Sequence, residues 1–105
     1  MNEKKGNNFY AQNQQLYQGL IGASETQRRD LLDKLLLVNT GLIQKAVSNS
    51  GYKQYNVAEF EDVLQTARML YIEIIQRNIN EGSKNYPETV YPELLRSIQE
   101  YLSRP

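Results

Sequence analysis

The chain has 105 residues, a length typical of one domain built around one hydrophobic core. Its 12 basic and 12 acidic residues cancel, so its net charge excludes a general attraction to nucleic acid or to an anionic membrane. The absence of cysteine and histidine excludes disulfides, thiol catalysis and the commonest metal ligand, and the lack of cysteine favours the cytoplasm.

The first segment of the chain predicts an arm followed by a short helix. Residues 1–8 are polar, so we expect a flexible N-terminal arm there and a single helical domain over residues 9–105. A helix is predicted near residues 9–21, because apolar residues recur there at the spacing of one helical face: Leu16, Tyr17, Leu20 and Ile21.

A capping signal begins the second predicted helix. Ser24 and Gln27 have the spacing of a capping box, in which each side chain binds a backbone N–H group of the other residue. Apolar residues then recur every three to four positions, while charged residues occupy the other side. One long helix is therefore predicted near residues 25–48.

The third predicted helix lies near residues 57–79. Asn56 is its expected N-cap, and Glu59 is the partner three residues later in a second capping box. Gly82 follows the apolar run and is expected to end the helix in a left-handed conformation.

Two prolines divide the last segment, because proline removes a backbone hydrogen bond inside a helix. Pro87 predicts a turn, and Pro92 predicts the start of a helix near residues 92–103. The chain is therefore expected to be all-α, a small bundle of about four amphipathic helices, with these residues in its core: Leu35, Leu42, Ile43, Phe60, Leu64, Ala67, Ile74 and Ile98.

The acidic residues do not have the pattern of a catalytic or metal-binding site. Glu59, Glu61 and Asp62 lack the Glu-x-x-His spacing of di-metal bundles. The acids also lie outside the apolar stripes, so they are not expected to undergo the burial that would shift their pKa values. The chain also lacks a glycine-rich phosphate loop, a signal peptide and the roughly 18 apolar residues of a membrane span. We expect a non-enzymatic protein with no cofactor, no metal and no membrane segment.

Several tyrosines lie in or beside predicted loops: Tyr52, Tyr55, Tyr86 and Tyr91. Tyrosine is common at binding hot spots and stacks on nucleic-acid bases, so these residues are candidate contacts. The alternative is that their rings lean over the core and leave their hydroxyls in water.

The acids at the start of the third helix also have two interpretations. Glu59 is explained by the predicted capping box, and acids in a first turn interact favourably with the helix dipole. Glu61, Asp62 and Gln65 are expected to share an exposed ridge, which suits docking of a basic partner helix.

Three short motifs follow one another along the chain. A capped helix contains the pattern N-x-x-LI-x-x-A from Asn39 to Ala46, a later helix opens with EDVLQ, and an aromatic turn after Gly82 leads into LLRSIQEYL. In this order they resemble the core-binding and promoter-melting module of bacterial σ factors, over most of residues 13–104.

The resemblance implies roles for two groups of residues. Docking on a coiled coil of the RNA polymerase core is implied for Glu61, Asp62 and Gln65, and a DNA-facing position for Tyr86, Tyr91 and Arg96. Because the basic residues are dispersed, we expect the isolated chain to bind duplex DNA weakly or not at all.

A second class of function requires no motif. Small helical bundles that bind one protein occur among bacteriocin immunity proteins, secretion chaperones and phage-borne inhibitors. Amphipathic helices with polar loops, as predicted here, are sufficient for that class.

Overall fold

A computed structural model describes residues 2–54 and 59–104. They form five α-helices and a short 3₁₀ segment (Tyr52–Gln54): α1 (Asn2–Leu20), α2 (Glu25–Val38), α3 (Thr40–Asn49), α4 (Phe60–Asn80) and α5 (Val90–Ser103). No strand occurs in these two ranges, so the predicted all-α class is confirmed, with five helices instead of about four. α1 begins within the segment for which the sequence predicts a flexible arm.

The helices pack in two groups that share one core. α1 packs on α2, whereas α3, α4 and α5 pack on one another. Most of the predicted core is buried, namely Leu35, Ile43, Leu64, Ala67, Ile74 and Ile98. Leu42 and Phe60 are only partly buried and pack against the edge of that core.

The prediction of one long helix over residues 25–48 is wrong, because the chain breaks at Asn39. The backbone of Asn39 leaves the helical region, with φ −102° and ψ 19°. Its side-chain Nδ2 donates to the Leu35 carbonyl at 2.8 Å, and Thr40 Oγ1 donates to the Leu37 carbonyl at 2.9 Å. Asparagine and threonine side chains that bind backbone carbonyls compete with helix hydrogen bonds, so the segment divides into α2 and α3.

Local signals are confirmed at two helix ends. The capping box of α2 is formed, since Ser24 N–H donates to Gln27 Oε1 at 3.1 Å and Gln27 N–H donates to Ser24 Oγ at 3.3 Å. At the end of α4, Gly82 has φ 90°, the left-handed conformation that glycine adopts without strain. The N–H groups of Gly82 and Ser83 bind the carbonyls of Ile79 and Asn78, which is the Schellman pattern.

α4 begins later than the sequence predicts. Glu59 is its N-cap, with an extended backbone and no capping side-chain hydrogen bond, so the predicted position of Glu59 inside a first turn is wrong. Asn56, the predicted N-cap, lies outside the described residues. Glu61 and Asp62 therefore occupy the first turn of α4 themselves.

α5 begins two residues before Pro92, at Val90. Pro92 is thus the third residue of the helix, where its missing N–H group removes no intrahelical hydrogen bond. The predicted start was close, because proline is compatible with any position in the first turn.

Three tyrosines connect α1, α4 and the segment before α5 within the core. The hydroxyls of Tyr71 and Tyr86 are 2.9 Å apart and form a buried hydrogen bond. The Tyr17 ring packs edge-on against the Tyr86 ring, with centroids 6.2 Å apart, and its hydroxyl donates to the Ser83 carbonyl. Burial raises the pKa of Tyr71 and of Tyr86, because it disfavours the charged phenolate.

Candidate binding surfaces

The first three turns of α4 present a row of exposed side chains that we call the α4 ridge: Glu61, Asp62, Gln65 and Met69. Glu61, Gln65 and Met69 are four residues apart, so they follow one side of the helix. Met69 is 65% exposed and is one of six large hydrophobic side chains exposed among the described residues, of which Leu37 is the most exposed at 76%. The structure thus brings the three predicted docking residues together and adds an apolar residue to them.

The charge of the α4 ridge has a local explanation as well as a functional one. The described residues form two ion pairs, Asp30 with Lys34 and Arg77 with Glu93, and neither includes Glu61 or Asp62. Because both acids lie in the first turn of α4, the helix dipole stabilises them by roughly 0.3–1 kcal/mol each. Their charge alone therefore does not identify an interface, whereas the exposed Met69 side chain has no such local explanation.

The three residues that were predicted to face DNA do not share one surface. Tyr86 is 7% exposed and belongs to the core, so it does not present its ring at the surface as predicted. Tyr91 is partly buried, and its hydroxyl accepts a hydrogen bond from Asn49 Nδ2 at 2.7 Å. Arg96 is exposed on α5 and borders a separate depression with Asn49 and Glu100.

The two tyrosines instead line a groove of about 690 Å³ between α1, the α2–α3 junction and the segment that leads into α5. We call it the aromatic groove, and its apolar lining includes Phe9, Tyr10, Val38, Leu42, Val90 and Tyr91. Phe9 is 55% and Tyr10 is 44% exposed, so two aromatic rings of α1 contact water there. Concave apolar sites of this size, with few polar groups, are typical of ligand-binding pockets.

A pair of buried amides contributes polar atoms to the lining of the aromatic groove. Asn13 Nδ2 donates to Asn39 Oδ1 at 3.1 Å, and Asn39 Nδ2 donates to Asn13 Oδ1 at 2.7 Å. The second N–H of Asn39 is used by the Leu35 carbonyl. Asn13 donates no second side-chain hydrogen bond among the described residues, and the residue is only 5% exposed.

Two charged side chains line the aromatic groove among the described residues, Lys45 on α3 and Glu88 before α5. The Lys45 ammonium lies 5.8 Å from the centroid of the Tyr91 ring, within the range of a cation–π interaction. Neither charge takes part in the two ion pairs of the described residues. One cation and one anion are thus available to an occupant of the groove.

Gly41 forms part of the wall of the aromatic groove. It is the second residue of α3, and a Cβ atom built there meets no atom within 4 Å. Helix propensity does not favour glycine over alanine, and no neighbouring atom excludes a side chain at this position. Its effect is to leave space beside the backbone of α3.

Sequence reasoning missed Met69, Gly41 and the two aromatic residues of α1 as surface features. Gly41 was the one available signal, because glycine inside a predicted helix is less favourable than alanine by about 1 kcal/mol. Phe9 and Tyr10 gave no signal, because aromatic residues at a helix start are also consistent with a core position.

The described residues contain no cluster of three or more acidic side chains that could hold a metal ion. Among the same residues, no helix is both long enough and apolar enough to cross a membrane. Comparisons of the chain with protein-family models, curated proteins and solved structures find no match, so no family is assigned to it.

Proposed function

We propose that this domain is a non-enzymatic protein-binding module that docks a basic helix of its partner along the α4 ridge. The observation that carries the proposal is the exposure of Met69 in line with Glu61 and Gln65. A flexible, polarisable thioether adapts to many apolar surfaces, and methionine is frequent at protein-binding sites for that reason. Docking would remove this apolar side chain from water.

The chemistry of the α4 ridge restricts the kind of partner. Two carboxylates lie at its first turn and Met69 lies eight residues after Glu61, about 12 Å along the axis at roughly 1.5 Å per residue. A complementary helix carries basic side chains at one end and an apolar side chain about two turns away. Charge complementarity of this kind accelerates association and fixes orientation.

The core of bacterial RNA polymerase is the first partner to test, because the resemblance to σ factors implies that Glu61, Asp62 and Gln65 dock on its coiled coil. We restrict the proposal to protein docking and do not extend it to DNA melting. Tyr86 belongs to the core of the domain, and Tyr91 lines a groove with its hydroxyl bound to Asn49.

The test measures capture of purified RNA polymerase core by the immobilised domain and by three variants. The double charge reversal Glu61→Lys with Asp62→Lys should abolish capture, and Met69→Gln should weaken it without changing any charge. The matched control is Glu81→Lys with Glu100→Lys, which alters the net charge equally at exposed positions away from the ridge. This control should capture the wild-type amount.

Folding of each variant is checked by circular dichroism and by its melting temperature. The double reversal loses the dipole interaction of two first-turn acids, so a small loss of stability is expected from that cause alone. Folded ridge variants that capture as well as the wild type would refute docking at the ridge. If RNA polymerase is not captured but another protein from a bacterial lysate is, in a ridge-dependent manner, the domain belongs to the second class of small helical binding proteins.

A further inference from the structure

We infer that the aromatic groove is a binding site for a small amphipathic molecule, an apolar compound with one anionic group. This site is separate from the α4 ridge, and the inference does not depend on docking there. Its volume of about 690 Å³ lies within the roughly 300–1,000 Å³ of small-molecule sites.

The lining of the aromatic groove accounts for the apolar part of the ligand. Phe9 and Tyr10 are about half exposed and are not among the residues of the hydrophobic core. Val38, Leu42 and Val90 add aliphatic surface from three other elements. A compound that covers these side chains removes apolar surface from water in a preformed concave site.

Lys45 accounts for the anionic group. Its ammonium lies over the Tyr91 ring, at the groove, and the described ion pairs leave it without a carboxylate partner. A carboxylate, sulfonate or phosphate on the ligand would pair with it. Glu88 is the one carboxylate among the described residues of the lining, so it favours a single anionic group placed at Lys45 over a ligand with several anionic groups.

Gly41 keeps the wall of the groove open on its α3 side. Any other residue at this position would project a side chain from α3 into the volume that glycine leaves open. No neighbouring atom lies close enough to exclude such a side chain. Glycine is typical of positions where a ligand approaches the backbone closely. Gly41 and Lys45 are one helical turn apart, so the open wall and the cation lie on the same side of α3.

Two fluorescent probes test the inference with the full chain. The sulfonate 1-anilinonaphthalene-8-sulfonate carries an anionic group, and its neutral parent N-phenyl-1-naphthylamine does not. Both should bind the wild type with a one-to-one stoichiometry. Lys45→Met should lower the affinity for the sulfonate by about threefold, which corresponds to the energy of an exposed ion pair, and leave the affinity for the neutral probe unchanged. Glu88→Gln should strengthen binding of the sulfonate, and Lys53→Met, outside the lining, should change neither.

Filling the groove gives the second, independent readout. Gly41→Leu should weaken both probes by about tenfold or more, because the added side chain occupies their volume. Gln44→Leu places the same side chain on an exposed part of α3 outside the groove lining and should leave both affinities unchanged. Circular dichroism and melting curves establish that each variant is folded.

Three results would overturn the inference. They are failure of the sulfonate at millimolar concentration and of the neutral probe at its solubility limit to bind the wild type, wild-type affinity in Gly41→Leu, and equal effects of Lys45→Met on the two probes. If Gly41→Leu does not fold, the Lys45 and Glu88 variants decide the outcome, since both positions are at the surface.

Discussion

Replacement of Asn39 by alanine should destabilise the domain because it removes both described partners of the buried Asn13 amide. The wild-type pair has two mutual hydrogen bonds, of 3.1 and 2.7 Å. A buried polar group without a partner costs about 1–3 kcal/mol, and Asn39→Ala leaves two such groups on Asn13, the carbonyl oxygen and the amide nitrogen. The costs of the two groups add, but water can approach Asn13 through the groove in this variant and reduce them. We therefore expect a loss of about 2–4 kcal/mol, less than the largest possible sum of the two costs.

The partner substitution should cost less. Asn13→Ala leaves Asn39 Oδ1 without its donor, but Asn39 Nδ2 still binds the Leu35 carbonyl, so a loss of about 1–3 kcal/mol is expected. The double variant leaves no unpaired amide of this pair in the interior. Its loss should therefore fall short of the sum of the single losses by about 1–3 kcal/mol.

Urea unfolding followed by circular dichroism measures these free energies in all four proteins of the cycle. The expected losses are a large part of the roughly 5–15 kcal/mol that stabilises a domain, so the midpoints should separate clearly. Losses that add to within about 0.5 kcal/mol would refute the coupling of Asn13 with Asn39. The two amides would then contribute to stability independently of each other.

Three further outcomes are expected from the packing, capping and titration of named residues. Ile43→Ala should cost about 2–5 kcal/mol in urea unfolding and Leu42→Ala clearly less, since only Ile43 is fully buried; equal losses would contradict the observed burial. Ser24→Ala should cost about 1 kcal/mol through loss of the capping box, and an unchanged urea midpoint would show that the box contributes nothing. The contribution of Tyr71 and Tyr86 to stability should be constant below pH 10.0, the ordinary pKa of tyrosine, and be lost above it. Burial raises the pKa of both residues in the folded chain, so the unfolded chain releases these protons first. Unfolding free energies measured across this range should fall less steeply in the Tyr71→Phe variant, and an identical slope would contradict the raised pKa values.

Local patterns in the sequence determined the all-α class and several helix ends. The capping box at Ser24 and the left-handed Gly82 depend on hydrogen bonds between residues three to five positions apart, so a short window contains all the information. The spacing of apolar residues likewise placed Leu64, Ala67 and Ile74 on the buried face of α4, because helical periodicity follows from backbone geometry.

Contacts between distant residues decided the features that the sequence did not reveal. Asn39 lies inside the one long helix that the sequence predicts, whereas in the structure it is buried at a break and pairs with the amide of Asn13, 26 positions away. Tyr86 was predicted to be a contact residue in a loop, but it lies in the core, where its hydroxyl is hydrogen-bonded to the hydroxyl of Tyr71. The aromatic groove exists only because α1, the α2–α3 junction and the segment before α5 converge. A polar side chain can be buried when a hydrogen-bond partner satisfies it. In these cases the partner is distant in sequence and comes close only in the folded chain.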